Sequence, residues 1–118
     1  MKWNIPSNSI QCRIERIGRD WLVTLTGGEM PEDHHIGAVS IAYRAPEMQS
    51  GWKVDTLKVP RHKEHVLTNP MALEAAATLG GTVTVAAGVH FDQLTAEQIQ
   101  IVVDECWRLL REALNHTD

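Results

Sequence analysis

The chain has 118 residues, 43% of them hydrophobic and 22% charged, enough apolar material for one domain with a core. That balance excludes intrinsic disorder as a description of the whole, and no apolar run reaches the roughly 20 residues that span a bilayer. The formal net charge is −4 with histidine neutral, and no basic run stands out, so the electrostatic footprint of a general nucleic-acid binder is missing. An anionic small ligand stays compatible with this charge, because a few local cations and amides suffice to hold one. The opening Met1-Lys2-Trp3-Asn4-Ile5-Pro6 lacks the apolar stretch of a secretory signal, so a cytoplasmic protein is expected. Cys12 and Cys106, far apart, form no CxxC motif and read as two reduced, partly buried thiols.

In chain order, Ser7–Gly18 reads as a strand, with Ile10, Cys12 and Ile14 alternating with polar residues. Gly18-Arg19-Asp20 is turn material, and Trp21–Thr26 is a second, β-branched strand, so the two form an antiparallel hairpin. Gly27 to His35 reads as a loop and Ile36–Tyr43 as a third strand. Trp52–Val59 alternates as a fourth strand, whose inward side is either Trp52, Val54 and Thr56 or Leu57 and Val59. Asn69-Pro70 interrupts the helical stretch that follows, because a residue before proline avoids the α region. The spacing thus predicts a helix over Pro70–Leu79, closed by Gly80-Gly81, with His62–Thr68 as a separate turn or loop. Thr82–Val89 is a β-branched run expected as a central strand. A last helix runs from Ala96 to Leu114, opened by a Thr95/Gln98 capping box and apolar at Ile99, Val102, Val103, Cys106, Leu109, Leu110 and Leu114. The order β-β-β-β-α-β-α predicts an α+β domain, a mostly antiparallel sheet covered by helices.

Three clusters carry chemically useful groups. Thr26-Gly27-Gly28 with His34-His35-Ile36-Gly37 could curl amides into an anion-binding nest, although turn geometry alone also accounts for paired glycines. Arg61-His62-Lys63-Glu64-His65 follows a proline and supplies a planar cationic fork and a mobile cation, or simply a solvated loop. Gly88-Val89-His90-Phe91-Asp92 places a His and an Asp at the carboxyl end of a strand, where they face a pocket or cap a turn. There is no HExxH, HxH or Cys–His zinc spacing, so the sequence predicts no metal site. No GxSxG elbow, P-loop or dinucleotide-binding fingerprint is present, and neither cysteine sits where a nucleophile would. Trp107 reads as core; Trp21 and Trp52 read as core or rim packing, with a subunit contact or an aromatic ligand as the alternative.

Leu25-Thr26-Gly27-Gly28, His35-Ile36-Gly37, Arg61-His62-Lys63 and Ala87-Gly88-Val89-His90, followed by Gln93–Ile99, together resemble the prenylated-flavin chaperone family. These LpdD-like small D subunits accompany gallate-type hydroxyarylic acid decarboxylases. The resemblance implies a small dimerising α+β domain similar to proteasome-assembly chaperone folds. It further implies a non-catalytic accessory subunit that binds reduced prenylated flavin mononucleotide (FMN) and delivers it to a decarboxylase apoenzyme. Carried over residue by residue, the cofactor-binding positions are Thr26, Gly27, Gly28, His35, Gly37, Arg61, His62, Lys63, Gly88 and His90. Glycine amides and the Arg61/Lys63 cations would suit the phosphate, and the histidines the ring edge. Two other classes stay open: a protein-interaction module with no small-molecule ligand, and a small enzyme using His90 and Asp92 as an acid–base pair on a nucleotide-like substrate.

Overall fold

The computed structural model describes residues 3–117. Five strands, β1 (Ile10–Ile17), β2 (Asp20–Gly28), β3 (Ala38–Arg44), β4 (Trp52–Lys58) and β5 (Val83–His90), form one sheet in the order β1-β2-β5-β3-β4. The β1–β2, β3–β4 and β3–β5 pairs are antiparallel, and only β2–β5 is parallel. The expected α+β architecture with a mostly antiparallel sheet is therefore observed, with β5 in the centre. Two helices, α1 (His65–Leu79) and α2 (Ala96–Asn115), complete the fold. No helix among the described residues is long and apolar enough to cross a membrane.

Strand alternation dictates which side the helices cover. Cys12, Ile14, Val23, Leu25, Val83, Val85 and Ala42 share one face through the strand registers, and they pack with Met71, Ala72, Ala75 and Ala76 of α1 and Cys106 and Leu110 of α2. In β4 it is Trp52, Val54 and Thr56 that turn inward, while Leu57 is 80% exposed. The buried hydroxyl of Ser40 is satisfied by Thr56 at 2.7 Å and by Thr68 of α1 at 2.8 Å, which locks α1 onto β3 and β4. The opposite face, including Leu22, Thr24, Val39 and Ile41, carries no helix.

Most element boundaries lie within a few residues of expectation, and two differ for clear reasons. Helix α1 starts at His65 rather than Pro70, so Pro70 lies inside the helix. Burial of Leu67 and Thr68 against the sheet holds the first turns helical and overrides the local bias of the Asn69-Pro70 pair. Strand β2 continues through Gly27 and Gly28, which pair with Val89 and His90 of β5 instead of opening a loop. The capping box is present as expected: the Thr95 hydroxyl accepts from the Gln98 amide at 3.1 Å, and Gln98 Oε1 accepts from the Thr95 amide at 2.8 Å.

Candidate functional site

The chain crowds its polar groups at the carboxyl end of β5. There the turn before α1, the segment before β3 and the first turns of α2 converge on a cleft of about 560 Å³. Its wall is apolar: Val66, Leu67, Val89, Phe91, Leu94, Ile99, Val102 and Val103. Its polar end carries His35, Arg61, His62, Lys63, Glu64 and His90. Val66 is 63% exposed and Ile99 52% exposed, so apolar surface lies open to a ligand. Phe91 is the only phenylalanine of the chain.

Backbone hydrogen bonds fix the polar end. The Gly37 amide donates to the Ala87 carbonyl at 2.8 Å, and the Val59 amide donates to the Gly37 carbonyl at 2.8 Å. The segment carrying His35 is thereby held between β5 and the end of β4. Glu64 immediately precedes α1 without capping it through its side chain, and its carboxylate instead meets His35 and the end of β5. One oxygen, Oε2, accepts the Val89 amide at 3.2 Å and lies 3.0 Å from His35 Nε2. The other, Oε1, is buried without a hydrogen-bond partner, 3.5 Å from His62 Nδ1. The His35 and His62 rings tilt at 47° with centroids 4.8 Å apart, and His90 stands edge-on to His35 at 6.5 Å. His90 Nε2 is engaged by Asp92 Oδ1 at 2.9 Å in an exposed pair.

Two glycines make this packing possible. A Cβ on Gly37 would fall on the Glu64 carboxylate, and a Cβ on Gly88 would fall on the His35 carbonyl. Arg61 holds a left-handed backbone at φ 71°, which a residue with a side chain adopts only under constraint.

Of the predicted site residues, the structure brings His35, Arg61, His62, Lys63 and His90 together on the cleft. Gly37 and Gly88 support it from behind. Thr26, Gly27 and Gly28 do not line it. The glycines form neither a nest nor a turn but end strand β2: the Gly28 amide donates to the Ser9 carbonyl at 3.0 Å, and a Cβ there would meet Asp33. Thr26 instead bonds His34 Nδ1 at 2.9 Å, so His34 belongs to a separate surface and His35 to the cleft. Sequence reasoning missed Glu64 and the apolar wall. Glu64 stood inside a recognised charged cluster, but nothing in the sequence marked it as the buried member. Trp21, Trp52 and Trp107 lie off the cleft, each beneath an arginine, Arg16, Arg44 and Arg111 respectively.

Neither cysteine lines the cleft. Burial pushes the Cys12 thiol up to about 11 and, with Glu105 nearby adding to it, the Cys106 thiol up to about 12.

Comparison with known proteins identifies the family. The family described as "Prenylated flavin chaperone LpdD-like domain" matches residues 5–118. Protein LpdD of Lactiplantibacillus plantarum is 34% identical over 97 residues, which cover 76% of this chain and 63% of that protein. The chain thus spans less than two thirds of that relative's length. Among solved structures, a chain from a chaperone complex for yeast 20S proteasome assembly is similar in fold, with a TM-score of 0.48 and 13% identity over 89% of this chain and 96% of that one. That likeness is too loose to support any functional argument. Matched by the family over nearly its whole length, the chain belongs to the LpdD-like prenylated flavin chaperone domains.

Proposed function

We propose that the cleft between α1 and α2 binds reduced prenylated FMN as cargo, and that the chain hands it, without chemistry of its own, to a hydroxyarylic acid decarboxylase apoenzyme. The observation that carries the reading is the meeting of an apolar wall and two free cations in one cleft. A flavin mononucleotide joins a flat apolar ring to a phosphate of nearly two negative charges. The volume lies within the range of about 300–1,000 Å³ usual for small-ligand sites. Phe91, Leu94, Val102 and Val103 would take the ring and its prenyl extension and exclude water from them. Arg61 and Lys63 make no ion pair with a protein carboxylate among the described residues, so their charge is available to a phosphate. His90, whose Nε2 alone is engaged by Asp92, would meet polar atoms of the ring edge. The family description supports the choice of flavin, and a homodimer belongs to the same proposal.

An anaerobic titration with reduced prenylated FMN, with ordinary reduced FMN as control, tests it. Saturable binding selective for the prenylated form, weakened in Arg61→Ala and Lys63→Ala while the fold is kept, is the expected result. Retained affinity in both variants would sink the phosphate assignment. No binding of either flavin by folded protein would favour a pure interaction module. Turnover of a nucleotide-like substrate, lost in His90→Ala, would favour an enzyme. Sedimentation of the purified chain tests the dimer.

A further inference from the structure

We propose that His35, His62 and Glu64 form a site for a divalent transition-metal ion at the polar end of the cleft. The three residues are distant or offset in sequence, but each offers a ligand atom within 4.8 Å of the others. His35 Nε2 lies 3.0 Å from Glu64 Oε2, and His62 Nδ1 lies 3.5 Å from Glu64 Oε1. Ligands held about 2.0–2.1 Å from a tetrahedral ion stand roughly 3.4 Å apart, so each histidine lies near that distance from one Glu64 oxygen, and small side-chain rotations would draw the set, within 4.8 Å overall, around one ion.

Donor and acceptor accounting leads to the same place. His35 Nδ1 lies 3.1 Å from the Asp33 carbonyl, which can only accept, so Nδ1 carries the proton in that bond. In the neutral ring this leaves the Nε2 lone pair facing a carboxylate oxygen, two acceptors with nothing between them. A backbone carbonyl on the far nitrogen is also the usual arrangement that orients a metal-bound imidazole. On Glu64, Oε2 has the Val89 amide, but Oε1 is buried and has no donor. An anionic oxygen in that position is costly unless a cation meets it. One ion satisfies both His35 Nε2 and Glu64.

The support is rigid where the ligands attach. Glu64 Oε2 is tied to the Val89 amide at 3.2 Å, and the His62 amide donates to the Val59 carbonyl at 3.1 Å. The side chains are 26%, 36% and 11% exposed for His35, His62 and Glu64, so an ion reaches them from the cleft. Two imidazoles and one carboxylate select zinc, iron, cobalt or nickel over calcium and magnesium. Three protein ligands leave a fourth position open toward the cleft. His90 stays outside the set, since Asp92 engages its Nε2.

The inference does not rest on the flavin reading, and its test contains no flavin. Untagged, chelator-stripped protein is titrated with Co²⁺ and followed by its visible d–d bands, then with Zn²⁺ against a chromogenic chelator. One Co²⁺ per chain with bands of a four- or five-coordinate ion, displaced by Zn²⁺, is expected. His62→Ala and Glu64→Gln should each weaken binding at least tenfold, and His34→Ala should leave it unchanged. Glu64→Gln keeps the side-chain shape and secures the comparison if His62→Ala fails to fold. Absence of stoichiometric binding, or equal binding in Glu64→Gln, overturns the proposal.

Discussion

Gly37 and Gly88 both back the polar end of the cleft, yet alanine at the two positions should act differently. The Gly37 backbone has an ordinary φ, so the penalty comes only from space. Its new methyl would fall on the Glu64 carboxylate, the far end of a flexible side chain that can swing away. The loss is the 3.2 Å bond from the Val89 amide to Glu64 and the contact with His35. A hydrogen bond to a charged group contributes about 1.5–3 kcal/mol. Reduced freedom of the unfolded chain returns about 0.4–1 kcal/mol. Gly37→Ala should therefore destabilise by about 1–2 kcal/mol. A methyl on Gly88 meets the His35 carbonyl, which is backbone and cannot swing. Overpacking alone costs about 1–3 kcal/mol, and here relief would also break the Gly37–Ala87 backbone bond, so about 3 kcal/mol or more is expected. Urea unfolding with unchanged m-values measures both, and hydrogen exchange at the Val89 amide reads the site directly. Exchange there should accelerate in Gly37→Ala with the sheet otherwise protected. A Gly88→Ala milder than Gly37→Ala, or an unchanged Val89 amide in Gly37→Ala, would refute the geometry.

Three further outcomes follow from particular residues. Arg61→Gly should separate stability from binding. A left-handed residue with a Cβ costs about 1–2 kcal/mol, so glycine at φ 71° should leave the urea midpoint equal or higher while flavin affinity falls; a clear drop in the midpoint would count against this. Raising a thiol from 9.0 to about 11 cuts its thiolate at pH 8 about a hundredfold, so a thiol reagent should label Cys12 and Cys106 only after urea unfolding; fast native labelling would contradict their burial. Pro70→Ala should stabilise by about 1–2 kcal/mol, because it restores an amide inside α1, and a lower thermal midpoint would show that the proline is accommodated without penalty.

What was legible in the sequence is what local chemistry decides. Thr95 and Gln98 announce α2 because the two bonds of the capping box lie within one turn. The β-branched run of β5 announces a buried central strand, but not that it runs parallel to β2, since only the register Trp21–Val83 onward shows that. Gly27-Gly28 read as a loop because glycine signals turns. In the fold these residues are strand positions where Asp33 and Ile10 approach too closely for a side chain. Pro70 failed as a helix boundary because tertiary burial of Leu67 and Thr68 outweighed a one-residue bias. In the candidate site, the cationic and histidine positions were readable as clusters, since a resemblance in motif order carried them. Glu64 was not, because its importance arises from His35 and Val89, which are remote in sequence. Ile99, Val102 and Val103 read as a face packed on the sheet. The amino-terminal end of that face does both: Val102 and Val103 pack with the core as read, and with the exposed Ile99 they also line the cleft.

That double role bears on how a carrier, as proposed, would differ from an enzyme. A catalytic site needs groups held fast around reacting atoms, and a carrier needs shelter that can be surrendered. Here the fixed parts of the cleft are β5, the body of α1 and the Glu64 anchor, all hydrogen-bonded into the sheet. The rim is different in kind. Arg61, on the cleft, and Gln93, between the cleft residues Phe91 and Leu94, both adopt left-handed backbones, at φ 71° and 56°, in connecting segments outside any strand or helix. Strain of this sort persists only while its surroundings enforce it. Arg61, one of the two cations that would grip a phosphate, thus sits at a strained position, while the apolar wall is shared by α1, the end of β5, the segment after it and α2. Docking of an acceptor against the rim would act first on the phosphate grip and only then on the apolar wall. On the proposed function, release in that order would let one chain hold its cargo away from water and still give it up to a partner.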